Sequence, residues 1–159
     1  MNLIEHDGDL LDFLHDGTVD AIAHCCNCQG VMGAGIALQI KREIPDAYAA
    51  YKTYENYKGL ELGTVSEHTK TPGEVVFNIH AQGNYSRERI SARHVDYEAM
   101  YAGLEAVRDR MCELDLQNLG IPFLMGCALA GGDWSIVQAM IISVFKFNTI
   151  TIHIVKFDR

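Results

Sequence analysis

The sequence lacks a long apolar run. No stretch reaches the roughly 18 residues that a membrane-crossing helix needs, so a transmembrane protein is not expected. Positive charge is also scarce: 13 Lys and Arg stand against 21 Asp and Glu, for a formal net charge of −8. Non-specific nucleic-acid binding draws on a basic surface, and none is visible. The densest basic stretch, residues 87–93, contains Glu88 and reads as a solvated loop. The opening residues 1–7 hold no basic segment leading into an apolar one, which argues against a signal peptide. The five cysteines are an odd number, and downstream of Cys28 no second closely spaced pair occurs. Reduced thiols in a cytoplasmic protein are expected. No repeat, low-complexity tract or linker divides the chain, so residues 1–159 read as one domain.

What is present is an ordinary globular balance of 48% apolar and 21% charged residues. Apolar, β-branched runs predict strands at residues 19–26, 75–79, 119–124 and 149–155. Residues 2–5 and 64–68 are weaker strands, expected near an edge. Helical spacing covers residues 34–44, 46–57, 96–114 and 134–147, the first stopping before Pro45. Alternating strands and helices predict α/β layers around a central sheet. Such sheets take ligands at the carboxyl ends of their strands.

Two predicted strands run into glycine clusters that open helices. One is Asn27-Cys28-Gln29-Gly30-Val31-Met32-Gly33-Ala34-Gly35-Ile36-Ala37; the other is Gly126-Cys127-Ala128-Leu129-Ala130-Gly131-Gly132-Asp133-Trp134. Glycine lets a backbone approach a ligand closely. Unpaired amides at a helix start favour phosphate oxygens. Together the clusters point to a diphosphate held between them; the competing reading is a pair of tight turns without a ligand. Familiar motifs fail here. Leu38 stands where a dinucleotide fingerprint needs its third glycine, and Gly132-Asp133 replaces the Lys-Ser/Thr of a Walker A loop. A cysteine phosphatase built on Cys127 would need an arginine where Asp133 stands. His24, Cys25, Cys26 and Cys28 are zinc-ligand types, but adjacent strand residues face opposite ways. No metal and no cofactor is expected.

The ordered motifs resemble the macro domain family over nearly the whole chain. They are Gly8-Asp9-Leu10-Leu11, residues 19–27, the first glycine turn, Asn78-Ile79-His80-Ala81-Gln82, Ile121-Pro122, residues 126–134 and Val155-Lys156-Phe157. Within the family, the chain looks most like ADP-ribose-1″-phosphate phosphatases and terminal ADP-ribose hydrolases. The resemblance implies a three-layer α/β/α fold with a central mixed sheet. It implies that Asp9 reads the adenine amino group beside the Leu10 backbone, with Phe157 near the base. Met32, Gly33, Ala34, Gly35 and Ile36, with Gly126, Cys127, Ala128, Leu129, Ala130 and Gly131, would wrap the diphosphate and distal ribose. Asn27 would face that ribose.

Each role has a plainer alternative: Asp9 as a helix cap, Asn27 bonding its own loop, Phe157 in the core. Gln82 stands where one branch of deacylating hydrolases carries a nucleophilic lysine, and an amide cannot replace it. Ala128 and Ala130 also depart from that branch. The resemblance thus implies binding of ADP-ribose and hydrolysis of ADP-ribose-1″-phosphate, with Asn27 and Asp133 as catalytic residues. Alternatives are removal of ADP-ribose from a modified protein or nucleic acid, or binding without turnover. Asp133 could equally cap the last helix, and roles for His24, His80 and His94 stay open.

Overall fold

The computed structural model describes residues 1–70, 73–83, 94–128 and 130–157. The basic stretch 87–93 and Leu129 lie outside the described residues. The runs rich in Val, Ile, Phe and Ala form one six-stranded sheet. Its strands are β1 (Asn2–Gly8), β2 (Ala21–Asn27), β3 (Thr64–Lys70), β4 (Glu74–Gln82), β5 (Asn118–Pro122) and β6 (Thr151–Phe157). Their order across the sheet is β1-β6-β5-β2-β4-β3. All neighbours run parallel except β3, which pairs antiparallel with β4. Both weakly patterned strands, β1 and β3, lie at the edges, where only one side is paired.

Among the described residues, five helices cover the two faces: α1 (Leu10–His15), α2 (Gly35–Glu43), α3 (Pro45–Lys58), α4 (Tyr97–Glu113) and α5 (Trp134–Phe145). Successive strand side chains alternate between faces. Ala21 and Ala23 of β2, with Phe77 and Ile79 of β4, pack against Met100, Leu104 and Val107 of α4 and Ile141 of α5. Ile22 and Val76 pack on the opposite side with Leu10, Leu11 and Leu14 of α1, Ile40 of α2 and Ala47 of α3. The result is the expected α/β/α sandwich with a mixed sheet. Local chemistry sets the boundaries. Pro45 opens α3 at a position where its missing N–H costs nothing, and Gly59 ends it at φ +78.

A hydrogen-bonded polar layer lies on the α3 side of the sheet. Asn78 Nδ2 donates to the Ala47 carbonyl and to Ser66 Oγ, so its Oδ1 accepts from His24 Nε2 at 2.6 Å. Ser66 Oγ, already accepting, donates to His80 Nε2, which leaves His80 Nδ1–H to donate to Thr64 Oγ1. Thr64 Oγ1 donates in turn to the Glu61 carbonyl. These bonds close only with the His80 imidazole neutral. Burial pushes His24 and His80 down to about 4, the charge of His24 adding to the effect on His80.

Candidate functional site

The strands β6, β5, β2 and β4 end side by side, and a cleft of about 810 Å³ opens over those ends. Asn27, Gln82, Pro122, Val155 and Phe157 line it from the strands. Gly33, Ala34, Gly35, Ile36, Gln39, Arg42 and Glu43 line it from the start and face of α2. Gly126, Ala128 and Ala130 close the other side, with Phe123, Leu124 and Met125 before them. Cys25, Cys26, Val31 and Leu10 complete the wall. Leu10, Asn27, Gly33, Ala34, Gly35, Ile36, Gly126, Ala128, Ala130 and Phe157 therefore meet around one cleft.

Helix α2 starts without a cap. Ala34 occupies the N-cap position and has no side-chain oxygen, and the first intrahelical bond runs from Leu38 N to Ala34 O. The amides of Gly35, Ile36 and Ala37 precede that bond, so their donors and the positive end of the helix dipole stand at the cleft wall. Gly35 has φ +58, and a Cβ there would meet nothing within 4 Å. The space in front of that backbone is open.

The second glycine cluster differs from expectation. Its amides are largely spent within the loop: Cys127 N donates to Leu124 O, Gly131 N to Ala128 O and Gly132 N to Gly126 O. Its helix, α5, begins at Asp133, whose carboxylate accepts from Ser135 N and Ser135 Oγ. That anion already occupies the α5 N-terminus and would repel a phosphate. Asp133 is exposed and does not line the cleft. Its pKa is lowered by the bonds from Ser135. Asp133 thus caps α5 and stands outside the cleft lining to which Asn27 belongs. Cys127 and Gly131 also stand outside the lining.

Asn27, at the end of β2, is buried. Its Oδ1 accepts from Gln29 N, Val31 N and the Tyr51 hydroxyl, and its Nδ2 donates to the Val31 carbonyl at 2.7 Å. The residue moulds residues 27–31 into the turn that delivers Gly33 and Gly35. One Nδ2 hydrogen remains for a ligand. Tyr51 was not singled out in the sequence; its tyrosine spacing indicated only a helix. Met32 lies in the core with Cys26 and Tyr51, not in the cleft.

Asp9 also departs from expectation. Its Oδ1 caps α1 by accepting from Leu11 N and Asp12 N. Gln39 Nε2 donates to both carboxylate oxygens, at 3.0 and 3.3 Å. Asp9 is outside the lining, and Gln39 is in it. His80 is held within the polar layer and does not line the cleft. His94 is buried and also outside it. Burial pushes the Cys25 thiol up to about 12 and Cys127 up to about 11, so neither is a thiolate at neutral pH. Among the described residues, no group of His, Cys, Asp and Glu is arranged to hold a metal, and no helix is long and apolar enough to cross a membrane.

An α/β/α sandwich with an uncapped, glycine-opened helix start at its strand ends belongs to the proteins that bind along the carboxyl edge of a sheet. The chain is a member of the macro domain family, whose model, "Macro domain", matches residues 23–141. A DNA ADP-ribosyl glycohydrolase of Thermus aquaticus is 29% identical over 132 residues, which is 80% of this chain and 34% of that protein. An ADP-ribose 1″-phosphate phosphatase of Scheffersomyces stipitis is 38% identical over 77 residues, covering 43% of this chain and 44% of the relative. A macrodomain protein from Streptomyces coelicolor superposes with a TM-score of 0.79 at 28% identity, covering 99% of each chain. The chain spans about a third of the length of the DNA ADP-ribosyl glycohydrolases it matches.

Proposed function

We propose that the cleft binds ADP-ribose and that the chain hydrolyses a bond at the distal ribose. The observation that carries this reading is the uncapped start of α2 standing beside the buried Asn27 in one elongated cleft. From β6 to β4 the strand ends span three spacings, about 14 Å. That length suits a ligand with a base at one end, a sugar at the other and a diphosphate between them. The amides of residues 35–37 suit the diphosphate; Asn27 and Gln82, paired at the ends of β2 and β4, suit the sugar hydroxyls.

The reaction that fits is removal of phosphate from ADP-ribose-1″-phosphate. The remaining Nδ2 hydrogen of Asn27 and the nearby amides would steady phosphoryl oxygens as water attacks. The one carboxylate of the described lining, Glu43, sits eight residues along α2 from Gly35, about 12 Å away. Catalysis would therefore rest on positioning a water, with no side-chain base beside Asn27. A second reading, release of ADP-ribose from modified DNA, is favoured by the relatives that match four-fifths of the chain or more and carry that name.

Titration calorimetry with ADP-ribose tests the binding. Phosphate release from ADP-ribose-1″-phosphate and ADP-ribose release from ADP-ribosylated DNA, each with wild type and Asn27→Ala, separate the two reactions. Absence of ADP-ribose binding by the folded chain would sink the whole reading.

A further inference from the structure

The donors that converge on Asn27 Oδ1 are of two kinds. Gln29 N and Val31 N, at 3.0 and 3.2 Å, belong to the same turn as Asn27 and move with it. The Tyr51 hydroxyl, at 2.9 Å, comes from α3, 24 residues further along the chain. It also lies 2.5 Å from the Asn27 main-chain carbonyl. A hydroxyl has one hydrogen, so that hydrogen is shared between the backbone and the side chain of a single residue.

Tyr51 is well placed to act as a fixed point. It is fully buried and packs with Cys26 and Met32, and its ring centroid lies 5.7 Å from that of His80 on β4. Burial pushes its hydroxyl up from the ordinary range, so it keeps its proton and remains a donor. Turning the Asn27 amide over would set Nδ2 against these donors and Oδ1 against the Val31 carbonyl that Nδ2 now meets. Asn27 lines the cleft and Tyr51 does not.

We propose that Tyr51 is a positioning residue for hydrolysis: its hydroxyl locks the Asn27 carboxamide so that Nδ2, and not Oδ1, is offered to the reacting end of the ligand. Tyr51 touches no ligand and acts through Asn27. This inference rests on the proposal that the chain hydrolyses a bond at the distal ribose. A donor aimed at charge that develops during reaction loses its effect when it is slightly misplaced. Loss of the hydroxyl should therefore appear in kcat before KM.

The test uses the full chain and Tyr51→Phe, which keeps the ring and removes the hydroxyl. With whichever of ADP-ribose-1″-phosphate and ADP-ribosylated DNA the wild type hydrolyses, kcat should fall about tenfold and KM stay within about twofold. The double variant with Asn27→Ala should be no slower than Asn27→Ala alone. Nitrogen-15 spectra supply a readout apart from activity. The Asn27 side-chain amide signals, assigned by their loss in Asn27→Ala, should exchange slowly with water in wild type and broaden or shift in Tyr51→Phe. A folded Tyr51→Phe with unchanged kcat, or a double variant slowed by the product of the two single effects, overturns the role of Tyr51 and leaves hydrolysis intact. Should Tyr51→Phe fail to fold, the wild type decides: an Asn27 amide that rotates or exchanges freely overturns the role, and slow exchange supports it. Wild type that hydrolyses neither substrate overturns both proposals.

Discussion

Lowering the pH from 7 to 5 should destabilise this protein through its buried imidazoles. His24 and His80 have folded pKa values of about 4, against 6.5 when unperturbed. As pH falls through 6.5 the unfolded chain takes up protons that the folded chain refuses. Stability from these groups is complete above about 6.5, declines between 6.5 and 4, and is flat below 4. At pH 5 the linkage amounts to about 2 kcal/mol for each histidine. Against a typical total of about 5–15 kcal/mol, the pair matters. The physical reason is specific. An added proton on His80 Nε2 would face Ser66 Oγ, whose own hydrogen would then have no acceptor. Urea unfolding at pH 7, 6, 5 and 4.5 measures the effect. His24→Gln and His80→Gln should each be less stable at pH 7 but lose about one proton's worth of slope below 6.5. Unchanged slopes in both folded variants would refute the reasoning.

Other outcomes follow from the site. Gly35→Val should cost about 1–2 kcal/mol of backbone strain at φ +58, and place methyls where the ligand approaches; calorimetry should show ADP-ribose binding reduced at least tenfold. Asp133→Ala removes the α5 cap, so thermal unfolding should move down by a few degrees while ADP-ribose affinity stays unchanged. Asn27→Ala leaves Gln29 N and Val31 N short of an acceptor, while the Tyr51 hydroxyl keeps the main-chain carbonyl of residue 27; it should cost about 2–3 kcal/mol in urea unfolding and lower turnover as well. Cys26 should resist a disulfide reagent until the chain unfolds, whereas the exposed Cys112 reacts at once; rapid labelling of Cys26 in the native protein would contradict its burial.

Much of the fold was legible because the signals were local. The β-branched run at residues 149–155 and the apolar run at 19–26 became β6 and β2, displaced by about two residues. The weaker patterns at residues 2–5 and 64–68 became edge strands, each paired on one side only. The first glycine turn could be read because glycine spacing and the missing cap are properties of the sequence itself. The second could not. Whether the amides of Cys127 and Gly132 point outward or close on Leu124 and Gly126 depends on loop geometry. Asp133 was legible as a cap through its position before Trp134, and its place outside the cleft lining was not. Gln39 carried no signal, being an ordinary helix residue until β1 and β6 bring Asp9 beside it. Tyr51 likewise gains meaning only when α3 packs under the end of β2.

The pairing of β1 with β6 joins residues 2–8 to residues 151–157. Within this domain β1 has no neighbour until β6 pairs with it. β6 must also slot between β1 and β5, so the site wall formed by Val155 and Phe157 is among the last parts to be put together as the domain folds. The apolar helices should hold together well before the domain can bind anything. Contacts so far apart in sequence slow the final step of folding. They also make ligand binding a late marker of the folded domain.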